Sequence, residues 1–270
     1  MPTWPRRVEK RPILTKRRKF VLVSLLLSLG LVVIQRLPIE ERYGAIIGFA
    51  VASYFLTAWS LLSELRGSAW LTNMILPTFY PVSVALFYFL LPAEPVTRWI
   101  VTLLFAISMY GLLLTANIFA VASIRTIQLL RAARAVGFLL TVLSAAFLYH
   151  VIFSLRVSVG IVTPLVFLAT FPLVLQGVWS YSLTGSIKRE TGYATVGAII
   201  ITEIATALSF WLIDIPMASV MLSMAMYVIL GIFQHDVEER LFPRTIQEYV
   251  GFAAIVFLVV TGAVFMRWMG

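Results

Sequence analysis

The sequence predicts an all-α protein, a polytopic bundle of about nine transmembrane helices. Of its 270 residues, 61% are apolar and 12% are charged, whereas about a quarter of the residues in a soluble domain are charged. Apolar stretches of about 20 residues, the length that crosses the hydrocarbon core, recur along the whole chain. This composition excludes a disordered protein, a nucleic-acid-binding domain and an ordinary water-soluble enzyme.

The apolar segments define the elements in chain order, after a basic tail at residues 1–19. Nine segments reach membrane-spanning length: 20–35, 43–62, 69–91, 99–122, 135–155, 158–180, 193–213, 215–233 and 249–268. The connections between them are too short to hold a folded soluble domain. Any chemistry therefore takes place inside the bundle or at one of its two rims.

The first span is interpreted as an uncleaved anchor helix. A run of four basic residues at 16–19 precedes it, as in a secretory signal peptide. Its exit, at residues 33–37, reads VIQRL and contains no small-residue cleavage site. We expect this segment to stay attached and to hold the chain in the membrane.

The positive charges predict the orientation, because the cytoplasmic loops of a multi-pass protein carry an excess of lysine and arginine. With nine spans, 16 basic residues fall on the side of the N-terminus and five on the other side. Those five are Arg36, Arg42, Arg98, Arg156 and Arg267. The sequence therefore predicts a cytoplasmic N-terminus and an external C-terminus, and the net charge of +9 requires no nucleic-acid partner.

The boundary between spans 4 and 5 has more than one interpretation. Arg125, Arg131 and Arg134 lie at helical spacing between residues 122 and 135, where no glycine or proline interrupts the chain. This stretch is either a short interfacial helix or an extension of span 4 or span 5. These arginines, together with Arg244 before span 9, are expected to contact anionic lipid headgroups at the cytoplasmic face.

Internal similarity predicts a tandem duplication. The tetrapeptide RTIQ at 125–128, before span 5, recurs at 244–247, before span 9. The pair Trp-Ser at 59–60, which ends span 2, recurs at 179–180, which ends span 6. The end of span 3 also resembles the end of span 7.

These matches would relate residues 43–155 to residues 158–268 as two four-helix units, with the segment 20–35 as an added anchor. A shift of four spans preserves the orientation of each helix. The two units would therefore be parallel and would meet along a seam.

Two segments carry a family resemblance. Residues 123–131 (SIRTIQLLR) and 239–249 (ERLFPRTIQEY) resemble segments of uncharacterised bacterial multi-pass membrane proteins. The resemblance extends to most of the chain. It implies a bacterial inner-membrane location and brings no known activity and no known site residue.

The chain offers few groups for catalysis. It has no cysteine, which excludes thiolate metal sites, iron–sulfur clusters and covalently attached haem. Its two histidines, His150 and His235, fall on opposite sides of the membrane. The acidic pair at 238–239 is interpreted as part of a solvated loop. No cofactor and no metal are expected, and a membrane-embedded enzyme ranks third among the function classes.

Glu203 is the ionisable residue expected deepest in the membrane, near the middle of span 7. A carboxylate at that depth is costly and normally faces the bundle interior. Asn73, Asn117 and Gln176 fall near the cytoplasmic ends of spans 3, 4 and 6, and Tyr110 lies deeper in span 4. If these side chains converge, they form a polar pocket that is open to the cytoplasm and has Glu203 at its floor. The alternative is a set of separate interhelical hydrogen bonds.

Two spans carry paired prolines, Pro77 and Pro81 in span 3 and Pro164 and Pro172 in span 6. Proline removes a backbone donor and often kinks a membrane helix. This pattern suits a ligand cavity or a moving gate, and it also suits simple bent packing.

These observations favour a non-enzymatic, transporter-like or lipid-handling protein that uses the seam between the repeats, with Glu203 as a coupling carboxylate. The alternative is a structural or assembly subunit that binds another membrane protein, or a second copy of itself as a homo-oligomer, through its helix faces. A water-accessible cavity at Glu203 would favour the first function, and a dry, packed interior would favour the second.

Overall fold

The computed structural model describes residues 15–62, 69–92, 94–122, 128–183, 187–211 and 213–269. Within these ranges the chain forms nine α-helices and no strand: α1 Lys16–Arg36, α2 Ile39–Leu61, α3 Ala69–Tyr88, α4 Pro95–Ala122, α5 Leu130–Ser154, α6 Val159–Ser182, α7 Lys188–Ser209, α8 Ile215–Val237 and α9 Pro243–Met269. Each of these helices is long and apolar enough to cross a membrane. The predicted all-α, multi-span architecture is confirmed.

The helices differ from the predicted spans mainly at their ends. Helix α7 begins at Lys188 and ends at Ser209, where the apolar pattern predicts a span from 193 to 213. Helix α5 begins at Leu130, so the arginines at 131 and 134 extend span 5. Apolar patterning detects the part of a helix that lies in hydrocarbon, whereas the backbone hydrogen bonds continue into the polar turns beyond it.

The first eight helices form two bundles with the same internal arrangement. In α1–α4 each helix packs against the next, and α4 returns to α1. In α5–α8 each helix again packs against the next, and α8 returns to α5. The bundles meet along a seam, where α3 and α4 contact α5 and α3 contacts α6. Helix α1, which the sequence analysis treats as an added anchor, is thus an integral part of the first bundle. The duplication itself stays a prediction.

Helix α9 is the peripheral helix of the described chain. It packs closely against α8, and none of its described side chains is buried. The contact is tight at one point, where a Cβ added to Gly231 of α8 would overlap the ring of Tyr249. Further along α9, the ring centroid of Phe252 lies 5.8 Å from that of Tyr227 in α8, and the ring centroid of Phe257 lies 6.3 Å from that of Trp211, which follows α7.

Polar groups inside the two bundles are joined by hydrogen bonds. The Tyr149 hydroxyl in α5 is fully buried and lies 2.8 Å from Oγ1 of Thr170 in α6. The Ser53 hydroxyl in α2 donates to the carbonyl of Pro77 in α3 at 2.7 Å. That carbonyl lacks its helical donor because Pro81, four residues later, has no N–H. The side chain from α2 therefore replaces the lost backbone bond.

Candidate functional site

The predicted polar pocket around Glu203 is not assembled. The side with the start of α1 is called the N-side rim, and the opposite side the far rim. Asn73 and Gln176 lie within about 10 Å of the N-side ends of their helices, counting 1.5 Å per residue. Glu203 lies about 22 Å from the N-side end of α7, and six residues before the end of α7 at Ser209. Its side chain is exposed on the lateral surface and does not face the interior.

The physical reason for this difference is visible along α7. Its buried face is a stripe of small or aliphatic residues, including Ala194, Ala198, Ile201 and Ala205. Successive helical residues are rotated by about 100°, so Glu203 points about 200° away from Ile201. Small residues mark close helix–helix contacts in membranes. The small-residue stripe is the sequence signal that gives the inward face of α7.

The other predicted pocket residues lie apart from Glu203. Nδ2 of Asn73 donates to the carbonyl of Ala116 in α4 at 2.8 Å. Oε1 of Gln176 accepts a hydrogen bond from Oγ1 of Thr141 in α5 at 3.3 Å. Tyr110 and Asn117 are half-buried in α4. For Asn73 and Gln176 the geometry is that of separate interhelical hydrogen bonds.

Arg134, expected to contact lipid headgroups, points into the protein. It forms an ion pair with Glu238, at the end of α8. Its Nη2 donates to the carbonyl of Tyr181 at 2.8 Å, and its guanidinium lies 4.5 Å from the centroid of the Tyr181 ring. Its Nε donates to the carbonyl of Ser180 at 3.4 Å. These bonds satisfy carbonyls in the last turn of α6, which have no partner within the helix.

Of the other three arginines that are expected to contact headgroups, two are exposed at the surface and one lies outside the described residues. Arg131 is exposed, and Arg244 is exposed with Nε 3.2 Å from Oε1 of Glu248. Arg125 lies outside the described residues. The sequence pattern does not indicate a role for Glu190, which is only 2% exposed although it stands in the first turn of α7. The N-cap of α7 is Ile187, which has no capping hydroxyl, so no capping-box pattern marks Glu190 in the sequence.

A groove opens on the lateral surface at the seam between the bundles. It has a volume of about 480 Å³ and lies between α2, α3, α5 and α6. Nearly all of its lining side chains are apolar: Tyr43, Ala50, Thr78, Phe79, Val82, Leu86, Leu148, Val151, Ile152, Leu155, Leu165, Leu168 and Ala169. We call it the seam groove.

The seam groove reaches a polar mouth at the far rim. A smaller cavity of about 150 Å³ shares four lining residues with it, Tyr43, Leu86, Val151 and Leu155, and adds Arg42. The half-buried guanidinium of Arg42 lies 4.7 Å from the centroid of the Phe89 ring, and its Nε donates to the carbonyl of Leu37 at 3.0 Å. This arrangement leaves the Nη1 and Nη2 donors of Arg42 for another acceptor.

The depth of the seam groove follows from its innermost residues. Ala50 lies 11 residues after the start of α2, and Ala169 lies 10 residues after the start of α6. At 1.5 Å per residue both positions are about 15 Å from the far rim, half of a hydrocarbon core about 30 Å thick. The groove therefore spans one leaflet.

The paired prolines border this groove. On α3, Thr78 and Phe79 lie between Pro77 and Pro81. On α6 the lining residues at 165, 168 and 169 lie between the two prolines of that helix. The two helices that proline interrupts twice thus both contribute residues to the lining of the groove.

The comparisons with known proteins identify a family and no activity. No curated protein and no solved structure matches the chain. The family model covers nearly all of the described helices, from the first turns of α1 to the last turns of α9. The chain therefore belongs to the family described as Protein of unknown function (DUF5656), which matches residues 21–263.

Proposed function

We propose that the protein is a non-enzymatic lipid-handling membrane protein that holds a phospholipid in the seam groove. The observation that carries this proposal is the continuity between an apolar groove and a mouth that contains a half-buried arginine. A phospholipid has the same order of parts, an apolar chain followed by an anionic phosphate.

The apolar part of the groove fits an acyl chain. Its volume of about 480 Å³ lies within the range of about 300–1,000 Å³ that is usual for small-molecule sites. Leu165 and Leu168 on α6 and Phe79 and Val82 on α3 line the groove together, and none of its lining residues is charged. The one-leaflet depth matches a chain that enters from the far rim and ends near the midplane.

Arg42 supplies the headgroup contact. A guanidinium presents a planar fork of donors that matches phosphate geometry and stays charged in a partly apolar setting. The carbonyl of Leu37 and the ring of Phe89 hold this side chain at the mouth. Arg156, which follows the lining residue Leu155 directly, is exposed at the same rim and adds positive charge.

The groove supports lipid binding better than transport across the membrane. It ends about halfway through the hydrocarbon core, and the predicted polar pocket that would continue a pathway is absent among the described residues. If the N-terminus is cytoplasmic, as the charges predict, the far rim faces outward. The lipid would then be held in the outer leaflet of the bacterial inner membrane.

Replacing Arg42 by glutamine should remove the preference for a phosphate headgroup. We expect the wild-type protein in mixed micelles to bind phosphatidylglycerol at least tenfold more tightly than diacylglycerol with the same chains, because one charge-assisted hydrogen bond contributes about 1.5–3 kcal/mol. In Arg42→Gln the two affinities should become nearly equal. Equilibrium binding of a fluorescent analogue of each lipid measures this preference.

Arg36→Gln is the matched control, because Arg36 lies at the same rim on α1 and does not line the seam groove. This variant should keep the wild-type preference. An equal loss of preference in Arg36→Gln and Arg42→Gln, or an unchanged preference in Arg42→Gln, would contradict the proposed headgroup contact.

A further inference from the structure

Glu203 lies on an outward face of α7 that is otherwise apolar. Val196, Ile199, Ile200 and Ala207 share its exposure on the lateral surface. No donor among the described residues forms a hydrogen bond or an ion pair with its carboxylate. The position is six residues before the end of α7, about 9 Å below the far end of the helix. A charged carboxylate facing hydrocarbon at that depth is costly. A partner that supplies a hydrogen-bond donor or a positive charge would lower this cost.

The two bundles show where such a partner fits. Helix α3 is the third helix of the first bundle, and α7 is the third helix of the second. The outer face of α3 is covered by α5 and α6. Helix α9 follows α8 as α5 follows α4, yet no close packing joins α9 to α7 in the described chain. The second bundle therefore lacks the cover that the first bundle has.

The gap between α7 and α9 is an apolar cleft of about 400 Å³ whose floor is α8. It is lined by Ile204, Ala207, Leu208, Trp211, Met221, Met224, Ala225, Ala253, Val256 and Phe257. Ala207 lies four residues after Glu203 and therefore on the same side of α7. The carboxylate thus stands at the edge of this cleft. The exposed face of α7 and the cleft together are called the α7–α9 surface.

We propose that the α7–α9 surface binds a transmembrane helix of another protein, one that carries a lysine or arginine at the depth of Glu203. Charge complementarity selects this occupant. Copies of one chain lie at the same depth in a bilayer, because their apolar belts are identical. The five far-rim arginines, Arg36, Arg42, Arg98, Arg156 and Arg267, lie within one turn of a helix end or in a connection, so a second copy brings no lysine or arginine level with Glu203. This surface is separate from the seam groove and goes beyond lipid binding.

A model helix tests the proposal in vesicles of phosphatidylcholine. The probe is a leucine–alanine transmembrane peptide with one lysine at the depth of Glu203, compared with the same peptide carrying leucine there. The chain has no cysteine, so Lys188→Cys at the exposed start of α7 gives a single site for an energy-transfer label. We expect about tenfold tighter association of the lysine peptide than of the leucine peptide.

Glu203→Gln should remove this preference and Leu103→Gln should keep it. Leu103 is a suitable control because it is 62% exposed on α4 and lies eight residues from the far-rim start of that helix. Arg42→Gln should also keep the preference, so a failure of this proposal is distinguishable from a failure of the lipid site.

Three results would overturn the proposal. The first is equal association of the lysine and leucine peptides with the wild-type protein. The second is self-association of the labelled protein that depends on Glu203, which would assign the surface to a second copy. The third is displacement of the lysine peptide by a few mole per cent of stearylamine, which would assign the surface to an amphiphile.

Discussion

Replacing Arg134 by methionine is expected to lower the free energy of unfolding by about 3 kcal/mol. The substitution leaves Glu238 partly buried without its cation and removes the donors to the carbonyls of Ser180 and Tyr181 at the end of α6. Loss of these bonds removes the polar contacts that join α5 to α6 and α8 at the N-side rim. Reversible unfolding in mixed micelles, followed by circular dichroism as the fraction of dodecyl sulfate rises, measures the change.

The neighbouring Arg131 provides the matched control, since it is exposed on the same helix. Arg131→Met should change the free energy of unfolding by less than about 0.5 kcal/mol. The double variant Arg134→Met with Glu238→Leu should recover the part of the loss that comes from the unpaired charge, while the carbonyls of Ser180 and Tyr181 still lack their donors. Equal effects of Arg131→Met and Arg134→Met would show that the ion pair does not hold these three helices together.

Trp179→Ala is expected to lower the free energy of unfolding by about 4 kcal/mol, within the range for removing a large aromatic side chain from a packed core. The Trp179 side chain in α6 is fully buried. The cavity left by the indole would lie inside the second bundle, where the helices cannot easily close it. The same unfolding titration measures the effect.

Trp99→Ala provides the comparison, because the Trp99 side chain is 76% exposed at the start of α4. Its loss creates no cavity and should change the free energy of unfolding by less than about 1 kcal/mol. A Trp179→Ala protein as stable as Trp99→Ala would contradict the packing of α6 between its neighbours.

Hydropathy predicts the helices of this protein well because membrane-spanning length and composition are properties of single segments. Every predicted span overlaps one described helix. The ends are less predictable, as α7 shows. Its first turn contains Lys188, Arg189 and Glu190, which the apolar pattern assigns to a connection although the helical hydrogen bonds already include them.

The candidate site depends on directions and pairings that a linear pattern does not contain. Lipid is as apolar as the bundle interior, so hydrophobicity alone does not show which face of α7 is inside. Arg134 and Glu238 are 104 residues apart, and no local spacing predicts their contact. The seam groove likewise depends on the packing of α3 against α6. The paired prolines of these two helices are the part of the groove that the sequence indicates.

The central claim is that the seam groove holds an acyl chain, and mapping the contacts of a photoreactive lipid tests it most directly. The wild-type protein is reconstituted with phosphatidylglycerol that carries a diazirine in one acyl chain, irradiated, and analysed by peptide mass spectrometry. We predict that adducts concentrate on Phe79, Val82, Leu165 and Leu168 in the groove. Adducts spread over the exposed faces of all helices in proportion to their exposure, with no excess in the groove, would contradict the claim.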